Sequence, residues 1–166
     1  PRRGVGAQLG LNPAPWFTRL TAEFRAGERV DVEADRPGRG ADGFIEAILR
    51  GSLGGFGVES EQKLQAAVVE VGGRRVVTDS AARWLGVLHL SARDSLRVVW
   101  QASRYRRAAD APQGVAALRE DMRTTSLVFQ HRVGLGRNIS VGATRATLEP
   151  GRQRKDEIFV KAALAL

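Results

Sequence analysis

The residues of this chain best equipped for chemistry are His89 and Ser91, two apart in His89-Leu90-Ser91, and a series of Arg, Glu and Gln residues that also recur at two-residue spacing. In a strand, residues i and i+2 share a face, so His89 and Ser91 point the same way. A nucleophilic serine needs a base and an orienting acid in reach. No such acid is assignable by spacing, so the pair reads as structural or as lining an interior, and the chain is expected not to be an enzyme. His131 falls on an apolar side and reads as an interface residue near a rim. There is no Cys and no His/Asp/Glu cluster with ligand spacing, so neither a metal nor a cofactor is expected. The glycine pairs read as turns, because no Gly-rich phosphate loop precedes a helix.

The elements that position these residues are strands. Ile158, Val160, Ala162, Leu164 and Leu166 alternate with Phe159, Lys161, Ala163 and Ala165, which gives one wholly apolar face and one that tolerates charge. The same alternation recurs back to residue 5. Residues 4–11 carry it with Val5, Ala7, Leu9 and Leu11 before two prolines. Residues 16–26 set Trp16, Leu20, Phe24 and Ala26 against Phe17, Arg19, Thr21, Glu23 and Arg25. Further strands are expected near 45–53, 64–71, 84–92, 96–105, 127–133 and 139–148. The Gly/Pro-rich stretch 27–42 reads as a long loop, although 29–35 could extend its neighbouring strand. Residues 54–60 read as a turn, 72–82 as a connection, and 107–123 as a loop holding a helical turn or two within 115–122.

With 166 residues the chain is one domain's worth. A charge of +8, carried almost entirely by Arg, would by default suit an anionic partner such as nucleic acid or a lipid surface. No run of about eighteen apolar residues exists, so no transmembrane helix is predicted; strands that are only half apolar leave a barrel open. Beginning at Pro1 rather than Met, the chain reads as a mature chain or a piece of a longer one.

The expected connections alternate short (12–15, 54–60, 93–94, 134–137) and longer (27–42, 72–82, 107–123, 149–155). In an antiparallel meander this puts the short set and the C-terminus at one rim and the longer set at the other. Short periplasmic turns and longer external loops are the habit of outer-membrane barrels. On the hairpin repeat, the connection lengths and the strand Ile158 to Leu166, the chain resembles bacterial outer-membrane β-barrels, in particular the C-terminal parts of porin-like and polysaccharide-export barrels. His89-Leu90-Ser91 is also similar to the His-x-Ser of outer-membrane lipid A deacylases.

The expected fold is therefore all-β: an antiparallel up-and-down transmembrane β-barrel. Its strands number eight, if 4–11 is not a spanning strand, or residues 1–166 form the C-terminal portion of a larger barrel. Apolar faces turned outward would set Leu20, Phe24, Leu49, Leu88, Leu90, Val98, Trp100, Phe129, Val141, Val160 and Leu164 against lipid. The interior would then be lined by Arg19, Glu23, Arg25, Glu46, Arg50, His89, Arg93, Arg97, Gln101, Arg132 and Lys161. Seven cations against two carboxylates in that set would favour anions. The resemblance implies a location in the bacterial outer membrane and a pore or export channel for anionic small solutes or polysaccharide. Outer-membrane lipid and envelope proteins are the expected partners, without nucleic acid. The competing reading is a soluble β-barrel or sandwich binding a ligand or an anionic surface, since alternation alone does not tell inside from outside.

Overall fold

The computed structural model describes residues 3–134, 137–151 and 153–164. Nine strands form a single antiparallel sheet in which each strand pairs with its sequence neighbour: β1 (Gly4–Leu11), β2 (Phe17–Asp31), β3 (Arg36–Leu53), β4 (Phe56–Val71), β5 (Arg74–His89), β6 (Asp94–Arg107), β7 (Leu118–Gly134), β8 (Arg137–Glu149) and β9 (Gln153–Leu164). The fold is thus all-β and up-and-down, as expected. Among the described residues β1 and β9 do not pair, so the sheet is open at both edges. The segment 4–11 is a strand, bonded to β2 along its whole length, which makes the count nine rather than eight.

Several connections are far shorter than the sequence suggested. The stretch 27–42 is mostly strand, with only 32–35 turning between β2 and β3. Its glycines are there for close packing: a Cβ on Gly38 or Gly40 would collide with the carbonyl oxygen of Glu70 or Val68 on β4. Pro37 lies at the start of β3, where a missing N–H costs least. Residues 56–60 belong to β4, and 74–82 to β5. Each follows a two-residue Gly-Gly hairpin with both φ angles positive (58° and 89° at 54–55, 59° and 78° at 72–73), a conformation that only glycine adopts freely. In 108–117 the helical turn lies at Ala111–Gln113, ahead of Gly114, and not within 115–122, where β7 already begins at Leu118. The connection expected at 149–155 is cut back from both sides, because β8 runs to Glu149 and β9 begins at Gln153; Ala165 and Leu166 of the expected last strand lie outside the described residues.

The two rims are therefore less unequal in loop length than expected. Among the described residues one carries 12–16, 54–55 and 90–93, with β7 ending there at Gly134; the other carries 32–35, 72–73 and the long connection 108–117, with β8 ending there at Glu149.

There is almost no core. Among the described residues the buried apolar side chains are Ala34 and Val76, and the accessible surface is 11728 Å². A compact chain of 18.0 kDa would expose about 8,000 Å². The excess is what a single layer, with nothing packed on either face, requires.

Candidate functional site: a charged concave face behind an exposed apolar one

Paired residues of neighbouring strands share a face, so the register sorts every side chain. One face is an apolar field. Its rows include Leu9, Ala22, Ile45, Leu64, Ala82 and Ala102; a second row holds Gly86, Val98, Leu127, Ala143 and Ile158; a third holds Leu88, Leu96, Phe129, Val141 and Val160. The other face carries Glu23, Glu46, Glu61, Lys63, Arg83, Gln101, Arg97, Gln130 and Lys161.

An ion pair decides which face is concave. Arg107, at the end of β6, donates from a guanidinium nitrogen to Asp31, at the end of β2, at 2.8 Å, and both belong to the charged face. Four strand-to-strand steps of about 4.8 Å would separate β2 from β6 by about 19 Å on a flat sheet, more than the two side chains can bridge. The sheet therefore curls, at least at this rim, with its charged face inside. The pair is the most deeply covered charge among the described residues, its side chains 3 % and 1 % exposed. Glu33 lies 3.2 Å from the Arg107 Nε, and Arg36 pairs with Asp110 in the connection 108–117. The turn 32–35 is thereby clamped across the rim.

The convex face is exposed although it is apolar: Ile45 is 49 % and Leu64 53 % exposed, whereas the adjacent charged Glu46 side chain is 14 % exposed. Polar atoms inside this field satisfy one another. The Trp84 indole N–H donates to the Ser60 hydroxyl at 2.9 Å, and the Gln62 amide to the same oxygen at 2.6 Å. Contiguous exposed apolar surface on this scale marks a contact with a membrane or another molecule.

Of the residues expected to face an interior, Arg19, Glu23, Arg25, Glu46, Arg50, His89, Arg97, Gln101, Arg132 and Lys161 lie on the concave face, and Arg93 lies in the turn 90–93. Of those expected to face lipid, Leu20, Phe24, Leu49, Leu88, Val98, Trp100, Phe129, Val141 and Val160 lie on the convex face. Leu90 is in the turn after β5, and Leu164 ends β9 opposite Arg137.

The concave face is less one-sidedly basic than the sequence implied. Across β2 to β5 its cations are matched in a ladder: Arg19 to Glu46 at 3.8 Å, Glu46 to Lys63 at 2.8 Å, Lys63 to Glu61 at 3.2 Å, and Glu61 to Arg83 at 3.0 Å. Beside it a hollow of about 270 Å³ is lined by Glu23, Arg25, Asp42, Phe44, Gln65 and Asp79. Lys63, Glu61, Arg83, Asp42 and Asp79 were missed in the sequence. The signal was there in Glu59, Glu61, Lys63 and Gln65, which alternate through a stretch read partly as a turn. From β6 to β9 the balance changes. Arg97, Arg132 and Lys161 have no ion-pair partner among the described residues; Val87 and Val128 flank Arg97, Asn138 lies opposite Arg132, and Ser140 opposite Lys161.

Compared with protein-family models, curated proteins and solved structures, the chain matches none. The reading of the two faces therefore rests on their own chemistry.

His89 and Ser91 are not brought together. His89 Nε2 faces Glu59 at 3.6 Å on the concave side. The Ser91 hydroxyl accepts from the backbone N–H of Arg93 and Asp94, both at 3.0 Å, and donates to Asp94 at 2.6 Å, which makes it a turn-forming residue. Asp94 also binds His131 Nδ1 at 2.7 Å, at the rim end of the apolar face. The carboxylate stands between Ser91 and His131, so the imidazole is not placed to take the hydroxyl proton as a general base must.

Proposed function

We propose that this sheet is a wall of an outer-membrane β-barrel, and that its concave face lines a pore or export channel for anionic small solutes or polysaccharide. The observation that carries the reading is the placing of the two faces: exposed apolar side chains cover the convex face, and charged side chains, from the buried Asp31–Arg107 pair to the open Arg97, Arg132 and Lys161, line the concave one. In water that arrangement forfeits the main driving force of folding. Against hydrocarbon it is the arrangement that a lipid-facing sheet requires. The anion preference is assigned to the unmatched cations of β6 to β9, because the ladder cations of β2 to β5 each have a carboxylate partner; fixed positive charge in a narrow bore lowers the barrier for anions.

Two measurements test this. The chain should stay in the membrane fraction after an alkaline carbonate wash, and release into buffer would end the membrane reading. Reconstituted in a planar bilayer, it should pass chloride in preference to potassium, and Arg97→Gln/Arg132→Gln/Lys161→Gln should bring the two permeabilities close to equal. A wild-type channel without anion preference would refute the assignment of the cations.

A further inference from the structure

On the convex face, the apolar field does not end in neutral residues toward the rim that carries 108–117. It ends in arginines. On β6, Ala102 is followed at two-residue steps by Arg104 and Arg106; on β7, Leu127 and Thr125 by Arg123 and, beyond Asp121, Arg119. Arg145 on β8 follows Ala143, and Arg154 on β9 lies two residues beyond Asp156. All six are exposed.

Two carboxylates serve this band. Asp121 is shared by Arg104 and Arg119, each at 2.9 Å, and Asp156 by Arg145 at 2.9 Å and Arg154 at 2.7 Å. Glu149 is the remaining acid on this stretch of the face. Arg106 and Arg123 have no ion-pair partner among the described residues. A second, independent feature of the register is that Arg106 lies directly opposite Arg119. Like charges in that position destabilise a ladder, unless an anion sits between them.

We infer that this arginine band binds the phosphate groups of anionic lipids, fixing the height of the sheet in one leaflet. The inference rests on the membrane reading above and adds to it the headgroup chemistry and the residues. Guanidinium suits the role because its planar fork meets two phosphate oxygens at once and it tolerates partial desolvation better than an ammonium does. Continuity with the apolar field selects a lipid phosphate: a ligand held here has hydrocarbon-compatible surface immediately beside its anionic end. Trp84 and Trp100 lie inside the field, one row short of Ala82 and Ala102, and share a cross-strand row with Thr125, Arg145 and Asp156, so their indoles stand on the side of the field nearest the band.

The test uses the full chain, in a Trp16→Phe background so that Trp84 and Trp100 report alone, reconstituted into vesicles of phosphatidylcholine and phosphatidylglycerol with one of the two brominated on its acyl chains. The expected result is stronger quenching by the brominated phosphatidylglycerol than by an equal mole fraction of brominated phosphatidylcholine. Each arginine at the surface should contribute about fivefold to the local enrichment at low salt. In Arg106→Gln/Arg119→Gln/Arg123→Gln the preference should fall while quenching by phosphatidylcholine persists, and the corresponding triple Lys variant should keep most of it. Equal quenching by the two lipids in the wild-type chain would overturn the headgroup assignment and leave the membrane reading intact. Absence of quenching by either would overturn both. Absence of quenching together with salt-sensitive binding of a short DNA duplex would transfer the band to nucleic acid.

Discussion

Replacing Arg107 by Met would test the curvature of the sheet most directly. Asp31 would keep its burial, with its side chain 1 % exposed, and lose its guanidinium partner. What would remain is the backbone N–H of Ala34, 3.5 Å away. Stranding a buried charge in this way costs about 3–5 kcal/mol. Because Asp31 leads directly into 32–35, that cost falls on the docking of the turn. At about 1.4 kcal/mol per factor of ten, the undocked turn should become roughly a hundredfold or more better populated. Cleavage after Glu33 by a glutamate-specific protease, and amide exchange at Ala34, report the opening. In Asp31→Leu/Arg107→Met no charge is left buried, so protection should return toward the wild-type level. If the single variant is cut no faster than the wild type, or if the double variant is no better protected than the single one, the ion pair does not hold the rim and the argument for a concave charged face fails.

Three further outcomes follow from the two faces. Leu64→Arg should lower the yield of membrane-inserted chain by the equivalent of about 2–4 kcal/mol, whereas Gln65→Arg, on the opposite face, should leave insertion unchanged; equal effects in a vesicle refolding assay would contradict the assignment of faces. Ser60→Ala removes the acceptor of the Trp84 indole and should cost about 1 kcal/mol in a lipid-exposed site, read by denaturant titration in vesicles, with no loss expected if water reaches the indole. Asp156 accepts from Arg145 on β8 and from Arg154 on its own strand, so Asp156→Asn should loosen β9 from β8, read as faster amide exchange along β9; unchanged exchange would contradict the tether.

The strands were legible where alternation is carried by side chains of contrasting size and polarity, as in Leu96 to Ala102 or Ile158 to Ala162. Legibility failed where the physical reason for a residue lies on another strand. Gly38 and Gly40 look like loop residues in isolation, yet they are strand residues because β4 passes too close for a Cβ. Asp79 to Ala82 look like a connection because their side chains are short, two polar and two alanine, and they are held in β5 by pairing with both neighbours. The candidate site shows the same division. Arg19, Glu46 and Lys161 announce a polar face by spacing alone, whereas Asp31 and Arg107 are separated by 76 positions and have no local signal. The sharing of Asp121 by two arginines likewise depends on register, which the sequence leaves free until the turns are fixed.

The count of strands has a consequence for how such a curl could be shut. In a meander of nine, the first and last members run in the same direction, so joining them directly would create a parallel ladder in a sheet whose every other ladder is antiparallel. An all-antiparallel ring demands an odd number of additional strands between Gly4–Leu11 and Gln153–Leu164. Direct closure would make that seam unlike every other ladder, with slanted bonds of lower strength, whereas an odd number of added strands would continue the same antiparallel pattern. A directly closed ring would therefore begin to open there under mechanical or thermal stress.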